Sequence, residues 1–145
     1  MRLAVAALLG FGWFATLGCA GSMFDFTGNE KALEEAQSPY TELMRWGEIE
    51  GASAFVDPAL ATEFLVTAER FKHIRFTEFK SGPLRFGKDS KTATVNVVYH
   101  TYSIKTFVEK KFREHQQWYR EESAGYSWRV RSDLAAIASE LSDSH

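Results

Sequence analysis

The sequence predicts an α+β fold, in which helices come first and a curved antiparallel sheet of about four strands then wraps around them. Three observations predict it. Apolar residues recur at helical spacing between Ser38 and Phe71. From His73 the period changes to two and holds as far as Val130. Short clusters of glycine, proline and polar residues separate the alternating stretches, as in a meander. The chain has 145 residues, 14% of them aromatic. One domain with a sizeable core is therefore expected, without disulfide or metal staples.

The elements follow in order. Thr27 or Asn29 can cap a helical stretch over 30–37, which is rich in Glu and Ala. Ser38-Pro39 predicts a helix restart, with Ser38 as N-cap and Pro39 in the first helical position. Tyr40, Leu43, Trp46 and Ile49 continue at helical spacing. Gly47 and Gly51 are expected to weaken that helix, each by about 1 kcal/mol relative to Ala, and to allow close packing against a sheet. Asp57-Pro58 repeats the cap-plus-proline signal. A second helix should run from Pro58 to Phe71, with Leu60, Phe64, Leu65, Ala68 and Phe71 as its apolar stripe.

Ile74, Phe76 and Phe79, then Leu84 and Phe86, read as a strand broken at Gly82-Pro83. The next strand spans 92–103. Ala93, Val95, Val97 and Tyr99 share one face, and Thr94, Asn96, Val98 and His100 the other. A turn at 104–106 leads to a long strand over 107–121. Phe112, Glu114, Gln116 and Trp118 share its inner face, while Lys111, Arg113, His115 and Gln117 face outward. Pairing parity sets Val97 opposite either Phe112 or Glu114. Tyr126, Trp128 and Val130 make a last strand, and Asp133 can cap a short helix to Leu141.

The N-terminus has a different character. Arg2 precedes a continuous apolar run over 3–9, followed by small residues, which is the layout of an export signal. The run is short for a bilayer span of about 20 residues. The segment Thr16-Leu17-Gly18-Cys19-Ala20 resembles the lipobox of bacterial lipoproteins in its relaxed form, with Gly18 before the cysteine and Leu17 and Thr16 preceding it. The resemblance implies a diacylglycerol on Cys19 and cleavage before it. Because Ala20 rather than Asp follows, it also implies an outer-membrane location facing the periplasm. Acyl chains on one residue would hold the domain at a membrane without a spanning helix. Ordinary cleavage after Ala20 and an uncleaved anchor are the other two readings. Cys19 is the single cysteine, so no internal disulfide can form. The expected organisation is an export signal over 1–18, then a lipidated cysteine, tether and short helix over 19–38. The folded domain covers 39–134, and 135–145 form a tail or short helix.

With these elements in place, the order of helices and long strands, Gln117-Trp118-Tyr119-Arg120 and the closing Tyr126-Ser127-Trp128-Arg129-Val130 resemble the nuclear transport factor 2-like fold over roughly 39–134. The resemblance implies a cone-like roll with one open end. It leaves function open, because that superfamily includes isomerases, dehydratases, cargo carriers and modules without activity.

Few residues suggest chemistry. The net charge is −2, which lacks the basic footprint of a nucleic-acid binder. His73, His100, His115 and His145 are not at metal-ligand spacing, and no cofactor motif is present. No cofactor or metal is expected. Tyr99, Phe112, Glu114 and Trp118 are the candidate pocket lining. Glu114 among aromatic residues is the candidate general base, if burial raises its pKa. The alternative is a rim position, or a pairing with Lys110 or Arg120. No Asp or His lies beside it on the inner face, which argues against isomerase and dehydratase chemistry. Lys111, Arg113, Arg129 and Arg131 could meet an acidic partner or lipid headgroups, or simply be solvated. The expectation is a lipid-anchored, non-catalytic envelope protein that binds a partner protein or a small hydrophobic ligand. Homodimerisation through the sheet is left open. The rivals are a cavity enzyme using Glu114, and a structural lipoprotein whose cone is plugged by Tyr99, Phe112 and Trp118.

Overall fold

The computed structural model describes residues 23–134, apart from 124 and 126, together with 137 and 138. The expected export signal, Cys19, the expected tether, Tyr126 and most of the helix expected after Asp133 lie outside the described residues. None of the described helices is long and apolar enough to cross a membrane.

Helix α1 spans Met23–Trp46 as one helix with Pro39 inside it, not as two helices restarting at Ser38. Leu33, Gln37, Tyr40, Thr41 and Met44 recur on a single buried face, whereas Ser38 and Pro39 are exposed. The interior proline costs about 3 kcal/mol. Burying Leu33, Tyr40 and Met44 offsets this at about 1.5–3 kcal/mol for each large apolar side chain. Tertiary packing thus overrides the local signal. Gly47 ends this helix rather than weakening it. It sits at φ +72, its N–H donates to the Met44 carbonyl at 3.1 Å, and the Glu48 N–H donates to the Leu43 carbonyl at 2.9 Å. These two bonds form a Schellman cap.

Helix α2 covers Ile49–Ser53 and helix α3 covers Ala61–Ala68, followed by a 3₁₀ turn at Glu69–Phe71. The close packing expected of Gly51 is against α1, not a sheet: a Cβ there would stand 3.1 Å from Leu43 Cδ2. The α3 helix starts three residues after Pro58, and Asp57 ties the turn before it to the sheet. Asp57 Oδ1 accepts the Ala59 N–H at 3.0 Å. Its Oδ2 accepts Arg131 Nε at 2.8 Å, and its main-chain N–H donates to the Val130 carbonyl. The hydrogen bond from Arg131 holds the Asp57 carboxyl below its ordinary range.

Five strands form one antiparallel sheet: β1 (Ile74–Ser81), β2 (Arg85–Phe86), β3 (Thr92–Ser103), β4 (Glu109–Glu121) and β5 (Ser127–Ser132). The order is β1-β3-β4-β5, with β2 also paired to β3. Gly82-Pro83 breaks the first edge as predicted, and a bulge lies between Phe76 and Glu78. The β4 strand starts at Glu109 rather than Phe107. Phe107 occupies the left-handed region at φ 57 and closes the turn by donating its N–H to the Ser103 carbonyl at 2.8 Å. That turn selects one of the two registers, and Val97 pairs with Glu114 and Tyr99 with Phe112.

The core lies between the buried face of α1 and the inner face of the sheet. Ala93, Val95, Val97, Tyr99, Phe112, Glu114, Gln116, Trp118, Trp128 and Val130 are all buried there, as their alternation predicts. Leu65 is the exception on the expected α3 stripe. It is 38% exposed, while Phe64, Ala68 and Phe71 are buried.

Candidate functional site

Glu114 stands on β4 in the middle of the inner face, with no exposed surface. Four donors converge on it. Tyr40 Oη donates to Oε1 at 2.6 Å, and Ser132 Oγ donates to the same oxygen at 2.5 Å. Tyr99 Oη donates to Oε2 at 3.0 Å, and Gln116 Nε2 donates to it at 2.7 Å. Gln116 Oε1 in turn accepts the Trp118 indole N–H at 3.1 Å. A carboxylate offers about four acceptor positions, so each one here is committed to the protein. Neither Lys110 nor Arg120 is the partner. Arg120 donates to Asn29 Oδ1 at 2.7 Å.

The structure therefore brings together the predicted residues Tyr99, Phe112, Glu114 and Trp118, but as packed interior rather than pocket lining. Tyr99 stacks on Phe112 with centroids 5.2 Å apart, and Trp118 meets Tyr40 edge-on at 5.7 Å. Tyr40 and Ser132 were not assigned to this cluster from sequence. Tyr40 reads as one more apolar position on a helix, and Ser132 lies just past the last alternating strand.

Burial, and next the charge of Glu114, holds the phenols of Tyr40 and Tyr99 well above their ordinary value. The sign of the consequence follows from linkage. Below pH about 10 both folded and unfolded chains keep these protons, and the contribution to stability is complete. Above it the unfolded chain releases them and the folded chain does not. Stability should then fall by about 1.4 kcal/mol per pH unit for each tyrosine. Urea midpoints measured across this range should drop steeply, and less steeply in Tyr99→Phe. A flat profile would show that the phenols are not held.

A real cavity exists, but elsewhere on the cone. It measures about 890 Å³ and lies between the α1–α2 connection, α3 and the start of β1. Ile49, Leu65 and Val66 form its walls, and Phe71 and Phe76 its floor. Beneath that floor lies Phe112, 6.0 Å from Phe71 and 5.6 Å from Phe76. Phe76 also meets Tyr99 edge-on at 5.4 Å. Two aromatic layers thus separate the mouth from Glu114. The sequence reading missed this cavity, although the exposed Leu65 and Val66 are its signal.

The other sequence candidates do not converge. His100 Nδ1 lies 3.4 Å from Glu78, and His115 Nδ1 lies 3.0 Å from Asn96. No group of residues able to hold a metal occurs among the described residues. On the outer face of the sheet, Arg129 pairs with Glu121 at 3.0 Å and also reaches the Ala54 carbonyl. Arg131 pairs with Asp57 and lies over the Tyr119 ring at 4.7 Å. Both are structural contacts joining the sheet to its edge.

No protein-family model matches the chain, and no curated protein matches it by sequence. Solved structures do match its fold. A function-unknown protein from Mycobacterium tuberculosis aligns with a TM-score of 0.52 and 13% identity, over 86% of this chain and 92% of that one. A SEC-C motif containing protein from Rhodopseudomonas palustris gives 0.51 and 12%, over 72% and 76%. A ketosteroid isomerase-like protein from Erwinia carotovora atroseptica gives 0.50 and 16%, over 69% and 88%. At these identities the likeness is one of fold alone, an α+β fold with an antiparallel sheet packed on helices.

Proposed function

We propose that this chain is a lipid-anchored envelope protein whose domain binds a small hydrophobic ligand in the mouth of its roll and performs no chemistry on it. The cavity of about 890 Å³ over an aromatic floor carries this reading. It falls within the roughly 300–1,000 Å³ typical of sites for drug-sized ligands. Glu114, the best candidate for a base, lies behind that floor with its acceptor positions filled.

The anchor reading fits the same geometry. Helix α1 begins at Met23, a few residues after Cys19, and ends at Trp46 beside the mouth. At about 1.5 Å per residue it spans roughly 36 Å. An acylated Cys19 would hold the end of the domain opposite the mouth, leaving the mouth facing away from the bilayer. Cys19→Ser should abolish incorporation of a fatty-acid probe and release the protein from membranes. Undiminished labelling would remove the anchor from the proposal.

Ligand binding is tested separately. A neutral solvatochromic dye such as Nile red should bind the native chain. Val66→Glu, at a position 64% exposed, should weaken that binding about tenfold or more without unfolding, because it sets a charge into an apolar wall. Equal dye binding by both proteins would place the hydrophobic site elsewhere.

A further inference from the structure

The exposed large apolar side chains of the described residues gather around one end of the molecule. Trp46 is 69% exposed and Val66 64%, while Phe107 and Val108 on the β3–β4 turn are 76% and 51% exposed. Trp46 shares a wall with Ile74 and Arg75, and Val66 lines the cavity itself. The turn is tied to the same rim, because the Ile104 N–H donates to the His73 carbonyl at 2.9 Å. Apolar patches gathered in this way mark binding sites.

The rim also carries cations where β1 begins, whereas Arg45, beside Trp46 on the α1 side, is paired with Glu42 at 3.7 Å. Lys72 and Arg75 line the cavity where β1 begins. Arg75 Nη1 donates to the carbonyls of Lys72 and Ile74 at 3.2 Å each. These bonds hold the exposed guanidinium beside the mouth. Desolvation holds the His73 ring below its ordinary range, and the positive charges of Lys105, Lys72 and Arg75 add to the effect. The acidic lining residues Glu48 and Glu50 belong to the α2 side, and Glu69 to the 3₁₀ turn. An anionic group entering the mouth is repelled from that side and attracted to the β1 side.

We propose that the mouth is a site for a single-chain amphiphile with an anionic head. Its tail fills the cavity over Phe71 and Phe76, and its carboxylate or phosphate head is met by Lys72, Arg75 and Lys105. This rests on the binding reading above and names its ligand class. Lys72 and Arg75 are exposed, so reversing their charge should not disturb the fold.

The test is isothermal titration of the full chain with laurate, decanoate, dodecanol and dodecyltrimethylammonium, each below its micelle-forming concentration. Laurate should bind about tenfold or more tightly than dodecanol. Decanoate should bind roughly sixteenfold more weakly than laurate, about fourfold for each lost methylene of a buried tail. The double variant Lys72→Glu, Arg75→Glu should lose the laurate advantage and keep dodecanol binding. Equal affinity for laurate and dodecanol, or a preference for the cationic amphiphile, would overturn the head site while leaving the apolar cavity standing. Binding of none of the four would overturn both. Binding only to phosphatidylglycerol vesicles would overturn the proposal in favour of a membrane-surface site.

Discussion

Glu114→Ala is expected to destabilise the domain by about 3–5 kcal/mol. The change removes one acceptor group and leaves four buried or half-buried donors facing a void. Each unsatisfied buried donor costs about 1–3 kcal/mol. Partial re-pairing among Tyr40, Tyr99 and Ser132 keeps the total below the sum. For a domain of roughly 100 residues, about 4–5 °C is lost per kcal/mol, so the melting temperature should fall by roughly 12–25 °C. Glu114→Gln keeps the volume but brings two N–H donors where only acceptors fit, and hydroxyl rotation relieves part of the conflict. Its cost should lie between that of Glu114→Ala and that of Tyr99→Phe, which deletes one hydrogen bond at about 1 kcal/mol. Thermal melts of the three variants give the order directly. A loss below about 1 kcal/mol for Glu114→Ala would mean that the network is incidental to stability.

The strands and their faces were legible because a period of two admits only two face assignments, and on β4 the rejected one would bury Lys111, Arg113 and His115 in place of Phe112 and Trp118. The register was legible only as a choice between Phe112 and Glu114 opposite Val97. The turn that decides it depends on Phe107 adopting a left-handed conformation, and nothing in the local sequence demands that of a phenylalanine. Pro39 misled for the opposite reason. Its local signal is strong, but the packing of Tyr40 and Met44 on either side of the next turn is stronger. The partners of Glu114 were not legible at all. Tyr40 lies 74 residues away in sequence and Ser132 lies 18 away, and only the closing of the sheet over α1 brings them together. The mouth was hidden by a reading of α3 as a helix with one buried stripe. Its Leu65 and Val66 are instead exposed and line the mouth.

Phe112→Ala asks whether the two halves of the cone can be joined. Phe112 is the contact between the floor of the mouth and the tyrosine that holds Glu114: it touches Phe71, Phe76 and Tyr99. Truncating a buried phenylalanine costs about 3–5 kcal/mol, partly through the cavity left behind. That cavity would lie directly under a mouth that is already open. The void should therefore extend the mouth toward Tyr99 and Glu114 rather than remain sealed, and the variant should bind a larger hydrophobic probe than the native protein does. Stability measured with and without the dye separates the two effects, since a ligand that fills the void returns stability in proportion to its concentration over its dissociation constant. If the variant loses stability but gains no capacity for larger probes, the aromatic layer is a barrier that the surrounding structure collapses to preserve. Glu114 would then remain out of reach even with the plug removed, and a catalytic role for it would have no route to substrate. If capacity rises and the pH dependence of probe binding changes in parallel with Glu114→Gln, the carboxylate has become part of the mouth. The native plug would then be the feature that sets this domain apart from a cavity enzyme on the same fold.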